Sequence, residues 1–568
     1  MSQERSPDEL VSPAVPGARH DAIAADRPNA EVMMRVLVGA LAACIAYLFA
    51  QLLMYRYGRD QGIYATVADT ILRGGMPYRD AWDFKPPGIF VIYAAARALF
   101  GTGQWSIRVF EVIGLASTTT AFCILARRFF GDWRVGIIGG ALAVLVHCEL
   151  EFWHTAQPES FGGMLTAWAI VLATFEPSQR DPRARTKTLR AWAGAGLLYG
   201  ATFLLKPPLA GGAVVSSLFA AYSAWQKSRQ GSLAGKLRDA ATPVAVMAAS
   251  SLALVVMCLA WFAARGAFHD LYQTLFVFTP HYTKLGWEDA TIPGMVYLAL
   301  EEGFTDFSSI NTAGIVAAMV LVKAHPRERE GVLHVVLVVI MQLGGVAMQG
   351  KFFPYHYGAS LLLLSLFAGL GVYKVWQRAI ASWLGVAAFA TALPVVIFAR
   401  SATRNTQTDF FDRCIARQRQ LFGLSDTTRD ELDAKLYSVA DVSYGANRLV
   451  AEHLRARLGS SDLVFIWGFE PIIYDLSERR PASRYIYDVP QRVSWFKDEA
   501  RADLMSELDL HPPKAIVVEH RDVFPVVTGD VIDSADTLQK FPALSARLRE
   551  RYELETTIED FDVYLAKN

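Results

Sequence analysis

GIFVIYAAARALF, residues 88–100, is the stretch on which the reading of this chain turns. It is apolar enough to suggest a membrane helix, yet it has only 13 residues, carries Arg97 and stops at Gly101. About 20 apolar residues are needed to cross a hydrocarbon core of about 30 Å. The stretch therefore reads as a re-entrant or surface helix that stays on one side. Around it lie nearly uncharged blocks at 35–54, 107–126, 135–150, 161–176, 191–226, 242–264, 309–324, 331–349, 357–373 and 380–399. Lys206-Pro207-Pro208 divides 191–226 into two, because prolines end regular helix. About eleven spans follow.

Charge sets the orientation. Seventeen Lys and Arg fall in five loops, from Arg127 to Arg378, whereas the loops between them near 151–160, 206–208, 265–308 and 350–356 hold only four. Basic loops stay in the cytoplasm. With 88–100 not crossing, the chain reads as a mainly α, polytopic protein of the plasma membrane with its N-terminus cytoplasmic and its C-terminus outside. The first outer loop, 55–106, runs against the rule with Arg56, Arg59, Arg73, Arg79 and Lys85. Residues 1–32 lack apolar periodicity and read as a disordered cytoplasmic tail. The transmembrane unit spans 33–400, its first block a retained signal anchor. Over 401–568 the pattern changes: 464–467 and 515–518 read as buried strands, 446–457 and 543–552 as amphipathic helices, and 553–566 as a hairpin turning near Glu559-Asp560. This is a small extracytoplasmic α/β domain.

The composition is 53% hydrophobic and 19% charged, and the blocks of spans exclude a soluble protein. Zero net charge gives no signal for nucleic acid. The five cysteines form neither a metal spacing nor a disulfide framework.

Residues able to do chemistry gather at the outer ends of the spans. After Asp60, apolar Ile63, Val67 and Ile71 recur every four residues, giving a short amphipathic helix lying on the membrane. Asp60 at its start is either the N-cap or a carboxylate aimed at the membrane face. Asp83 and Lys85 follow, before Pro86-Pro87. The loop at 149–159 ends in Glu159, either a hydrated rim group or part of a site. The loop 265–308, with His269, His281, Tyr282, Lys284 and Asp289, is long enough for a lid, or is an interfacial aromatic belt. Lys351, Tyr355 and His356 combine a cation, a phenol and an imidazole, a set suited to phosphate oxygens.

These residues resemble the GT-C superfamily of membrane glycosyltransferases, in particular the protein O-mannosyltransferase and lipid A aminoarabinose transferase group. The resemblance covers about 35–400. It rests on Asp60 soon after the first span, on ILRGGMPY at 71–78, on Asp83-Phe84-Lys85-Pro86-Pro87, on Arg108, on RRFFG at 127–131, on Lys206-Pro207-Pro208 and on 351–357. It implies transfer of a sugar from a polyprenyl-phosphate donor at the extracytoplasmic face. It also implies Asp60 as the base, Lys85 with Lys351 or His356 at the donor phosphate, and Glu159 with Asp83 as the second acidic site, for acceptor or divalent metal. His281, Tyr282 and Lys284 would form the lid. Protein-mannosylating members have Asp-Glu where this chain has Asp60-Gln61, so the acceptor stays open among lipid, glycan and protein. No loop for a nucleotide cofactor is seen, the glycines at 211–212 and 344–345 reading as packing residues. Two other readings remain: a transporter or flippase of lipid-linked sugars, and a ligase or polymerase using a pyrophosphate carrier.

Overall fold

The computed structural model describes residues 28–567 except 179, 229–231, 289, 306–308, 322–325, 398–405 and 439–442. Most of the stretch read as a tail, and Asp289, lie outside the described residues. The first long helix, Ala30–Leu53, begins inside that stretch, because the Asn29 side chain accepts from the amides of Glu31 and Val32 and caps it.

Each apolar block falls on a helix. Ala30–Leu53, Trp105–Phe130, Leu233–Ala264, Glu328–Gln349 and Pro354–Ala379 are long and apolar enough to cross a membrane. The other blocks lie on Arg134–Glu149, Pro158–Ala173, Ala184–Leu205, Gly212–Lys227, Ser309–Leu321 and Trp383–Ile397. The chain is a mainly helical membrane protein. The break inside 191–226 occurs at Lys206, where helix gives way to a 3-10 turn at Pro207–Gly211. Close helix contact there needs small residues: a Cβ at Gly345 would sit 2.7 Å from the Pro208 side chain. Gly344 next to it faces open space.

Ionisable groups inside the bundle are satisfied locally. Buried Arg108 donates to Glu111 at 2.8 Å, and Glu111 faces His147 at 2.9 Å. Arg108 also donates to the Arg56 and Phe152 carbonyls, so this network fastens the segments around Arg56 and Phe152 to the bundle. His334, on the Glu328–Gln349 helix, bonds Ser216 at 2.9 Å and stacks on Phe219.

The short helix α1 (Arg59–Leu72) does not lie on the membrane as its amphipathic pattern predicts. It is buried from Gln61 to Ala68, held between α2 (Gly88–Phe100) and α3 (Ile472–Ser477). A Cβ at Gly62 would meet the Ile472 backbone at 2.7 Å. The polar side of α1 is thus covered by protein. Arg97 on α2, which argued against a span, is itself buried and joins Asp69 of α1 to Asp475 of α3.

The C-terminal part carries a sheet ordered β2-β1-β3-β5-β4, with β1 Leu463–Trp467, β2 Arg480–Pro481, β3 Ala515–Glu519, β4 Tyr552–Ile558 and β5 Phe561–Ala566. β1 pairs in parallel with β2 and β3, and the β4–β5 hairpin adds antiparallel against β3. Parallel central strands are covered on both faces, which is why LVFIW and AIVVE read as unbroken apolar runs.

This part also supplies partners for the cations of residues 55–106. Arg56 bonds Asp433 through two nitrogens at 2.9 and 2.6 Å, Arg59 pairs with Glu470 at 2.8 Å, and the Trp82 amide donates to the Arg484 carbonyl. Arg79 pairs with neighbouring Asp80 and Lys85 with Asp60, while Arg73 is exposed. Four of the five cations that run against the rule are neutralised by carboxylates.

Candidate active site

A cavity of about 1070 Å³ opens between α1, the Lys206 break, the 271–283 segment, the 349–356 turn and the C-terminal part. Asp60, Lys85, Lys351, His356 and Tyr282 line it together, as does Lys206.

Asp60 sits in the first turn of α1, whose N-cap is Gly58, so capping is not its role. One carboxylate oxygen accepts from Lys85 Nζ at 3.1 Å and the other from Gln157 Nε2 at 3.1 Å. Gln61 does the capping work: its Oε1 accepts the Gly58 amide, while its Nε2 donates to the carbonyls of Phe152, Trp153 and Thr155. A carboxylate at 61 could not donate to those three oxygens. Gln61→Glu is therefore expected to unseat the 152–157 loop and with it Gln157, costing about 1–3 kcal/mol for each carbonyl left unsatisfied. A drop in melting temperature in detergent checks this.

Lys85 lies between the rings of Tyr64 and Phe84, at 5.0 and 5.3 Å. Burial lowers its basicity, but Asp60 and Asp83 more than offset this and the ammonium is held above its ordinary value. Asp83 does not reach the cavity. It is fully buried, accepts the Tyr487 hydroxyl at 2.7 Å, and is raised above the ordinary carboxylate range by burial. Glu159 stands behind the wall, with no exposure, in an ion pair with Lys206.

Lys351 differs from these lysines. It is 7% exposed, its Nζ has no hydrogen-bond partner among the described residues, and it rests 3.0 Å from the centre of the Tyr282 ring. Burial, together with Lys206 and Lys85, pushes it down to about 6. His356 is fixed beside it, its Nδ1 bonded to the Lys351 carbonyl.

The segment predicted as a loop over 265–308 is largely helical, with a π-helical turn at Gln273–Phe278 followed by Thr279–Leu285. Of the three lid residues only Tyr282 faces the cavity. Its ring meets Phe84 at 4.3 Å, while His281 stacks on Trp495 and Lys284 is exposed. Beyond the lysines the cavity wall turns apolar through Phe203, Leu204, Val255, Leu259, Leu275 and Phe276. The opposite wall is Phe469 and the run Val523–Val527 of the C-terminal part.

Sequence reasoning missed Gln157 as the partner of Asp60 and Lys206 as the partner of Glu159. The second had a visible signal: Lys-Pro-Pro occurs twice, at 85–87 and 206–208, and both lysines end up beside a carboxylate. For a divalent cation the donor set is not assembled. No three His, Cys, Asp or Glu side chains gather to hold one among the described residues, and Asp60 and Glu159 are engaged by lysines.

Comparison with known proteins agrees with this architecture. Residues 84–261 match a family model described as dolichyl-phosphate-mannose-protein mannosyltransferase. The chain is 25% identical over 321 residues to the undecaprenyl phosphate-alpha-4-amino-4-deoxy-L-arabinose arabinosyl transferase of Pseudomonas aeruginosa strain LESB58, which is 55% of this chain and 54% of the relative. It thus spans about half the length of that relative. Over nearly the full length its fold is that of ArnT from Cupriavidus metallidurans. Against the structure bound to undecaprenyl phosphate the TM-score is 0.51 at 16% identity, covering 93% of this chain and 97% of that one. Against the apo structure it is 0.52 at 14% identity, covering 94% and 98%. By sequence the chain is similar to membrane sugar transferases that use lipid-linked donors, and by fold to ArnT. Among these it is similar to the aminoarabinose transferases.

Proposed function

We propose that this chain is a glycosyltransferase that moves a sugar from a polyprenyl-phosphate carrier to an acceptor hydroxyl, with Asp60 as general base. The observation that carries the reading is the cavity itself. Its lining combines a carboxylate, three lysines, an arginine and two imidazoles with many apolar side chains, which fits a donor with an anionic phosphate and an isoprenoid tail. The relatives point the same way, one named for an undecaprenyl-phosphate-linked sugar and one bound to undecaprenyl phosphate. The site faces the extracytoplasmic side of the inner membrane, with about eleven spans, the N-terminus cytoplasmic and the α/β domain outside.

In this reading the acceptor oxygen attacks the anomeric carbon and its proton passes to Asp60. The bond from that carbon to the phosphate oxygen breaks, and the leaving phosphate takes the electron pair. Positive charge near the departing oxygens lowers the barrier. Lys85, paired with Asp60, would shift to the phosphate when donor enters and so release the carboxylate to act as base. Lys351 and His356 meet the phosphate from the other side. Transport of the lipid-linked sugar is disfavoured by the bundle, where Glu111 is closed off by Arg108 and His147.

Cells lacking the protein are expected to accumulate one polyprenyl-phosphate sugar, identified by mass spectrometry of the lipid extract. Membranes of those cells, given purified protein and that extract, should gain one sugar per transfer event. Absence of any accumulating carrier would overturn the reading, and blocks of several sugars per event would replace it with a ligase.

A further inference from the structure

We infer that Glu470, in the C-terminal α/β part and outside the cavity lining, is a positioning residue for Asp60, and that it acts by holding Arg59 away from it. This rests on the reading of Asp60 as the base.

Arg59 and Asp60 are consecutive in the first turn of α1, and both line the cavity. A consecutive Arg–Asp pair does close on itself elsewhere in this chain, at Arg79–Asp80, and the same pairing at Arg59–Asp60 would tie up the carboxylate. Instead Arg59 turns to the C-terminal part. Its Nε donates to Glu470 at 2.9 Å, and its guanidinium packs over Phe524 at 4.1 Å, Phe469 at 4.6 Å and Trp153 at 5.3 Å. Arg59 is 5% exposed and Glu470 only 1%. Glu470 is aimed in turn by Asn447, whose Nδ2 donates to it at 2.9 Å.

The surrounding contacts fix α1 at this register. Gly62 touches the Ile472 backbone, and the Thr66 hydroxyl reaches toward the Pro471 carbonyl at 3.5 Å. The segment 470–472 therefore indexes the turn that bears Asp60. With the Arg59 charge sequestered, Asp60 is left to Lys85 and Gln157, the first of which can move to an incoming phosphate. Glu470 meets no substrate. Its effect runs through Arg59, so removing its charge should be worse than removing both charges.

The test uses full-length protein, with the carrier-linked sugar extracted from cells lacking it as donor and membranes of those cells as acceptor. Glu470→Gln, nearly the same shape, is expected to lower kcat 10- to 100-fold while the donor KM changes less than twofold. Glu470→Asp, which keeps the charge, should stay within about fivefold of wild type. Adding Arg59→Gln to Glu470→Gln should recover at least tenfold of the lost kcat while the melting temperatures of single and double variants stay alike; a purely structural pair would recover kcat only together with melting temperature. The inference is overturned if Glu470→Gln turns over like wild type while Asp60→Asn is inactive, or if the double variant is no faster than the single. Transfer retained by Asp60→Asn is a different result: it removes the base on which the inference stands.

Discussion

Asp60→Asn is expected to lower transfer by about 10²–10⁴-fold, the usual contribution of a positioned general base, while the protein accumulates and inserts at wild-type levels. The amide preserves the shape and can still bond Gln157, but it can neither take a proton nor hold Lys85 by charge. About 3–5 kcal/mol of barrier is at stake. A melting temperature close to that of the wild type would show that the loss is chemical. The reason to expect little destabilisation is that Asp60 is not the cap of α1 and is partly open to the cavity, its side chain 19% exposed. Turnover near the wild-type rate would discard Asp60 as the base.

The second large effect belongs to Lys351. Burial, with Lys206 and Lys85 nearby, pushes its amine down to about 6, against an ordinary 10.5. At pH 7 it is thus mostly neutral, and a phosphate placed beside it would restore the charge. Donor binding should then take up a proton. Affinity should rise about tenfold for each unit that the pH falls toward 6, and level off below. The donor is a phosphodiester with no titration of its own in that range, so the slope reports the lysine. The sign for stability is opposite in sense. The unfolded chain binds the proton more readily than the folded one between about 6 and 10.5, so the stability of the unliganded protein should climb as pH rises through that window. Lys351→Met is expected to flatten both profiles and weaken donor binding at pH 6 by at least about tenfold. Calorimetric titration with the extracted donor in buffers of different ionisation enthalpy counts the proton. An unchanged count in the variant would sink the assignment.

Much of the architecture was legible because it is written in local pattern. The apolar blocks, the proline break at Lys206, the 13-residue helix at 88–100 and the unbroken strand runs each depend on neighbours in sequence. What could not be read depends on partners hundreds of positions away. The periodicity of α1 gives its apolar side, but nothing in 59–72 says that the other side meets 470–475 rather than water or headgroups. The arginines of the first outer loop looked misplaced for the same reason, since Asp433 and Glu470 are invisible to a window of twenty residues. Within the site, Asp60, Lys85, Lys351 and His356 were identifiable as charges at span ends. Asp83 looks the same in sequence, yet it turns inward to Tyr487 because its side chain has a phenol to meet and no solvent.

The pairing of Arg56, Arg59 and Arg97 with Asp433, Glu470 and Asp475 has a consequence for biogenesis. In the proposed orientation, synthesis from the N-terminus exports the cationic hairpin before the acids that pair with it have been made. In that orientation the first loop reaches its final contacts only once residues 433–475 have been made and have closed on it.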